Sequence, residues 1–251
     1  MTYRALKVWQ RNFDVFIRTW RSQIAWSVVD PFMWFMSLGL GLGGFVALGG
    51  DQRYVDFLAP GLMAGAALFS SGTEGAWATF TRLEFQHTFD AMIVTPLSPE
   101  DVIGGEVLWA ATRSIESGLA LLAVMLLFGV QFSPLTLFAF PVLLLQGILV
   151  ASAAVFTSSR VANIGQLNHF ATLFLSPQFM FAGVFFPLDS LPGWAQMVAW
   201  LLPLSHSVIV LRNLTSATLD WGTLGHLTWL CVVAAVLFWL ALRSMRARLV
   251  K

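Results

Sequence analysis

The sequence has 251 residues, of which 57% are hydrophobic and only 11% charged, with a mean hydropathy of +0.75. Soluble domains carry roughly 25% charged residues, so the composition excludes a water-soluble globule. The formal charge of +1 leaves no basic excess to hold nucleic acid by its phosphates. The single cysteine, Cys231, excludes an internal disulfide and a cysteine metal cluster. Eleven Trp and 22 Phe against two Tyr suit lipid and its interface.

The first element in the chain is polar. Over residues 3–22, Leu6, Trp9, Phe13, Phe16 and Trp20 recur at steps of three or four, with Arg4, Arg11 and Arg18 on another face. That pattern predicts an amphipathic helix lying in the headgroup layer, with packing on a soluble partner as the alternative. A basic start before an apolar run can also be a secretory signal. Here the polar part is too long and no clear small-x-small site follows, so no cleavage is expected.

A helix needs about 20 apolar residues to cross the hydrocarbon. Charge-poor runs of that length predict spans at about 26–49, 56–80, 104–130, 135–158, 164–187 and 221–243. Asp30 and Pro31 suit an N-cap and first helical turn opening the first span. Gln131-Phe132-Ser133-Pro134 is the expected turn between the third and fourth. Residues 189–211, broken by Pro192 and Pro203 and carrying Gly193 and His206, read as a re-entrant or interfacial segment. Both ends of the chain are basic, which places both in the cytoplasm and requires an even number of crossings. Six crossings put twelve of the 14 Lys and Arg inside and leave only Arg53 and Arg212 outside.

Catalytic signatures are missing. There is no G-x-x-x-x-G-K-[ST] to cradle a nucleotide and no H-E-x-x-H, and His87, His169, His206 and His226 are too dispersed to argue for a metal. The run Gly39-Leu40-Gly41-Leu42-Gly43-Gly44 matches G-x-G-x-x-G literally, but it lies inside a span with no strand before it. Its glycines, like Gly61 and Gly65, read better as small residues that let helices approach closely. Glu74, deep in the second span, is expected either on a hydrated interior face or paired with Arg113 or Arg53. The loop from Thr81 to Gly105 has one basic residue, Arg82, against Glu84, Asp90, Glu100 and Asp101. Phe85, Phe89, Met92 and Ile93 fall at helical steps, which predicts a short helix with an exposed apolar edge. Ser98-Pro99-Glu100-Asp101 reads as the capped start of the next helix.

The stretches VVDPFMWFMSLGLGLGG, FLAPGLMAG, RLEFQHTFDAMIVTPLSPEDVIGGEVLWAATRS and FAGVFFPLDSLPGWAQMVAWLLPLSHSVIVLRNL cover roughly residues 28–214. In them the chain resembles the permease subunits of type-2 ABC exporters, most closely the branch that exports lipo-chitooligosaccharide nodulation factors. The resemblance implies an all-α polytopic membrane fold of six transmembrane helices. An N-terminal interface helix, a cytoplasmic coupling helix between spans 2 and 3, and re-entrant helices before span 6 would complete it. It implies a bacterial inner-membrane location, a second permease copy in a homodimer, and two cytoplasmic ATPase subunits. Those subunits would use ATP and Mg, this chain holding no cofactor itself.

On the same basis residues 82–95 are similar to the coupling helix, where Arg82, Glu84, Phe85 and Asp90 would contact the ATPase, with Arg160 a lesser contact. Relatives commonly carry a glutamate where Asp90 stands. The expected substrate is an amphiphile such as a lipo-oligosaccharide or related glycolipid. Trp34, Glu74, Trp77, Phe80, Phe181 and Phe185 are candidates for its route. Three alternatives stand beside this reading: a drug or antibiotic efflux permease of the same architecture, an intramembrane lipid-modifying enzyme using Glu74, Asp30 and His169, and a membrane scaffold without transport.

Overall fold

A computed structural model describes residues 3–41, 43–45, 53–130 and 133–249. All regular structure among them is helical. Helix α1 spans Ala5–Trp34 and continues as a π-helical stretch, Phe35–Gly41. Helix α2 spans Tyr54–Thr73 and is prolonged by π-helical stretches at Glu74–Ala78 and Thr81–Phe85. The short α3, Thr88–Ile93, precedes α4, Pro99–Leu127. Helix α5, Ala139–Ser158, is followed by α6, Leu167–Phe170, and α7, Ser176–Phe181, which a π-helical stretch Ala171–Leu175 joins. Helices α8, Gly193–Leu201, and α9, Pro203–Thr215, form a bent pair, and α10, Trp221–Leu249, closes the chain.

Among the described residues the ion pairs Arg82–Glu74, Arg82–Glu106, Arg246–Glu100 and Arg248–Glu84 gather toward one end of the helices, the charged end, and the opposite end is the far end. Four helical stretches among the described residues are long and apolar enough to cross a membrane: Tyr54–Phe85, Pro99–Leu127, Pro134–Ser158 and Trp221–Leu249. A fifth is reached if the bent pair counts as one span. The expected span at 164–187 is shorter in the structure, because the helix ends at Phe181 and Gly183 turns the chain at φ +75°. Within it Pro177 has no amide hydrogen for residue 173, and the widened turn at Ala171–Leu175 accommodates that loss.

The N-terminal region departs from expectation. The surface helix and the first span form one helix that runs through positions 30 and 31 without a break, so residues 30–31 do not start a new element. The side chains of Asp30 and Pro31, positions 42 and 46–49 of the expected span, and Gln131-Phe132 of the expected turn lie outside the described residues. Helix α1 runs alongside α4 in the same direction. Val8 sits over Gly105 near the start of both, and Phe32 meets Phe128 at a ring separation of 6.0 Å near their ends. A Cβ at Gly105 would come within 2.5 Å of the Val8 Cβ, so glycine is what lets the two helices touch. The apolar face of α1 is covered by its own chain rather than by lipid alone. Trp9, Phe13 and Phe16 pack around Trp109 at 5.7–6.4 Å, while Leu6 and Trp20 stay exposed.

Other local predictions hold. Ser98 caps α4 by accepting the Asp101 amide at 3.2 Å, with Pro99 in the first turn. Pro203 opens α9 after an 87° bend at Leu202. Two apolar clusters form the core. The larger joins α2, α5 and α9, and the smaller, at the charged end, gathers Val8, Leu83, Phe89, Val102, Val155 and Met245 from six elements.

Candidate functional site

A cavity of about 630 Å³ lies between α1, α2, α4 and α7. Its lining changes character along its length. Toward the far end its walls are mainly apolar, with Trp34, Leu62, Phe69 and Phe179, and toward the charged end it is polar, with Arg11, Glu74, Arg82 and Arg113. The size is that of a site for a small molecule or for part of a larger one. Gly65 sets one wall: a Cβ there would fall 2.3 Å from the Phe179 ring, so only glycine lets that ring lie against α2. Phe179 also packs edge-on to Phe69 at 5.2 Å and Phe185 at 4.9 Å, and Trp34 meets both Phe179 and Phe185.

The polar floor is a connected network. Arg82 pairs with Glu74 at 2.5 Å and with Glu106 at 2.6 Å. Trp109 Nε1 donates to Glu74 and Asn12 Nδ2 to Glu106, both at 2.9 Å. Glu106 is 1% exposed and Arg82 15%, and charges this enclosed persist only when paired and hydrogen-bonded. The network ties α1, α2 and α4 together at one level. Arg113 pairs with Glu116 at 2.6 Å and lies over the Phe16 ring at 4.6 Å. Arg11 donates to Asn12 at 3.0 Å.

The structure redistributes the residues expected from sequence. Trp34, Glu74 and Trp77 line the cavity, and Phe185 borders it through Trp34 and Phe179. Phe80 does not, being 2% exposed in the core, and Phe181 lies outside the lining on an exposed edge. The partner of Glu74 is neither Arg113 nor Arg53 but Arg82. Arg82, expected on the docking surface, turns inward and is consumed by two carboxylates. Contributors that the sequence reading passed over are Arg11, Glu106, Trp109 and Phe179. An acid at 106 inside an otherwise apolar run was the available signal for one of them.

The segment between α2 and α4 is more firmly seated than its composition suggests. His87, at φ +49°, turns the chain between the end of α2 and α3. Helix α3 covers only Thr88–Ile93, and its Phe89 and Met92 are buried in the smaller core rather than exposed. The exposed apolar positions are Phe85 at 63% and Val94 at 90%. Asp90 is exposed beside His87 at 3.2 Å. Glu84 is bonded to Arg248 at 2.6 Å, and Arg160 donates to Ser244 at 2.7 Å. The three residues of the enzyme alternative do not gather. Glu74 is held by Arg82 and Trp109, His169 contacts the Gln166 carbonyl on an exposed turn, and the Asp30 side chain is outside the described residues. No group of three or more metal-ligating side chains occurs among the described residues.

Against known proteins, a family model described as ABC-2 type transporter matches residues 4–215. Nodulation protein J of Sinorhizobium fredii is 32% identical over 244 residues, covering 97% of this chain and 93% of that protein. Nodulation protein J of Rhizobium meliloti is 32% identical over 246 residues, with the same coverage. The inner membrane transport permease YadH of Escherichia coli is 24% identical over 205 residues, or 81% of this chain and 80% of the relative.

Proposed function

This chain belongs to the ABC-2 type transporter family, and from that premise we propose that it is the permease subunit of an ATP-driven exporter in the bacterial cytoplasmic membrane. Its cargo is an amphiphile of the lipo-oligosaccharide or related glycolipid class. The observation that carries this reading is the similarity to Nodulation protein J over nearly the whole of both chains. The cavity supports it, with aromatic walls for an acyl chain leading into a floor of arginines, a carboxylate and amides for a polar head.

The family implies an ABC ATPase partner in general. In this reading two ATPase subunits serve two permease copies, all six passes cross the bilayer, and the charged end faces the cytoplasm. The basic residues at both chain termini support that orientation. The ATPase docks on the segment between α2 and α4, touching Phe85, Asp90 and Glu84, with Arg160 at the margin. ATP binding with Mg closes the ATPase dimer, presses on this segment and rocks the two permeases apart at the far end. The chain itself performs no bond-breaking chemistry.

The test is co-purification with the ATPase and ATP-driven uptake of a fluorescent acylated chitotetraose into inverted vesicles. Phe85→Asp and Asp90→Arg are expected to abolish uptake while the protein still inserts. Uptake of a hydrophobic dye in place of the glycolipid would move the cargo to the drug class. An ATPase-free monomer with unimpaired variants would overturn the reading.

A further inference from the structure

Helix α10 is loosely enclosed through its apolar length, with 17% of its most hydrophobic window buried, yet its last two turns are densely bonded. Arg248 is the centre of that bonding. Its guanidinium donates to the Ser158 carbonyl at 2.7 Å, the Val161 carbonyl at 3.0 Å and Glu84 Oε1 at 2.6 Å, and it lies 5.9 Å from the Phe80 ring centre. Ser158 is the last residue of α5, where carbonyls lack partners within the helix and a cation is favoured. A planar fork with five donors reaches these carbonyls and the carboxylate from two separate nitrogens, whereas a lysine presents its three donors from a single nitrogen. The neighbouring turn repeats the pattern: Ser244 contacts Ser159 at 2.6 Å and Arg160 at 2.7 Å, and Arg246 pairs with Glu100 at 2.9 Å. Arg243, on the same helix, is exposed and touches only the Trp239 ring among the described contacts.

We propose that Arg248 is a positioning residue that fastens the docking segment to the ends of α5 and α10, so that a push on the segment moves all three as one body. The proposal rests on the docking reading above. It separates two roles for the basic C-terminal tail, because Arg243 supplies charge for orientation whereas Arg248 supplies a mechanical joint. Without the joint, motion of Glu84 and its helix end would be absorbed locally.

Two measurements test it. In nanodiscs holding the permease alone, hydrogen exchange at residues 81–86 should quicken about tenfold in Arg248→Ala and stay unchanged in Arg243→Ala. In vesicles holding the permease with its ATPase, the acylated chitotetraose taken up per ATP hydrolysed should fall about fivefold or more in Arg248→Ala, within the range of site-to-site coupling. Should Arg248→Ala fail to insert, Arg248→Lys keeps the charge without the fork. Faster exchange there supports the joint, and exchange equal to the wild type overturns it. Unchanged exchange in Arg248→Ala, or an equal effect from Arg243→Ala, also overturns the proposal. A wild-type permease that binds no ATPase defeats the docking reading instead, and the exchange measurement still decides the joint.

Discussion

The two ends of the molecule are held by different chemistry. At the charged end cations meet carboxylates: Arg82 bridges Glu74 and Glu106, Arg248 reaches Glu84, and Arg246 reaches Glu100. At the far end the Arg53–Asp56 pair, 2.8 Å apart, lies within one helical turn with Arg53 exposed, and the enclosed cation, Arg212, pairs with no carboxylate among the described contacts. It donates to the carbonyls of Gly183 at 2.6 Å, Val184 at 3.3 Å and Phe57 at 3.4 Å, and lies 3.6 Å from the Phe57 ring centre. Tyr54 adds a bond to the Phe185 carbonyl at 3.0 Å. His206 and His226 share a 2.7 Å contact between Trp200 and Trp229. Ion pairs that join different helices couple those helices to one another, whereas bonds to the carbonyls of a single loop hold that loop's backbone path. The charged end is therefore suited to relay movement between elements, and the far end to hold one turn, residues 182–187, in shape against the cavity.

The sharpest way to break this contrast is at Arg82. Arg82→Ala leaves Glu74 and Glu106 enclosed without their cation, which should cost about 3–5 kcal/mol. Thermal unfolding in detergent should show most of the protein lost or markedly less stable, and a midpoint near the wild type would mean the network is dispensable. At the far end Arg212→Met should cost less, about 2 kcal/mol, because hydrogen bonds to carbonyls and the contact with the Phe57 ring are lost but no carboxylate is left without its cation. The predicted signature is faster hydrogen exchange confined to residues 182–187. A change spread over the charged end would contradict the separation of roles.

The smallest effect is expected at Asp220, which caps α10 by accepting the Thr223 amide at 2.8 Å and the Thr223 hydroxyl at 2.7 Å. The hydroxyl and then the amide hold its carboxyl below the usual range. A carboxyl lowered in the folded state stabilises above its ordinary value and loses that contribution as pH falls through its lowered value. Protection of the amides at residues 221–224, taken relative to their intrinsic exchange rates at each pH, should therefore fall on acidification in the wild type, whereas in Asp220→Asn it should show little dependence on pH.

Much of the fold was legible locally. Ser98 and Pro99 start α4, Pro203 starts α9, and the apolar runs locate the long helices, because each signal involves residues within one turn of each other. Periodicity over residues 3–22 correctly marks an apolar face. It says nothing of what covers that face, and the cover proved to be Trp109 on α4. The same gap explains Phe80 and Phe181, aromatic residues whose stripes could not distinguish core, surface and cavity. It also explains Phe89 and Met92, whose helical spacing is the same whether their edge is free or seated.

Composition, the lengths of the apolar runs and the turn residues were enough for an all-helical membrane chain and the approximate positions of its long apolar helices, since these depend on solvent transfer and short-range geometry. The partners of the charges were decided only by tertiary packing. Glu74 could have met any of several arginines by distance along the chain. It meets Arg82 because α2 continues through two π-helical stretches and α4 brings Glu106 and Trp109 to the same level. Arg248 reads in sequence as one more positive residue in a basic tail, and its reach to Glu84, 164 positions away, exists only once α5 and α10 are packed. An ion pair is chosen by proximity in space, and neither charge count nor helical period carries that information.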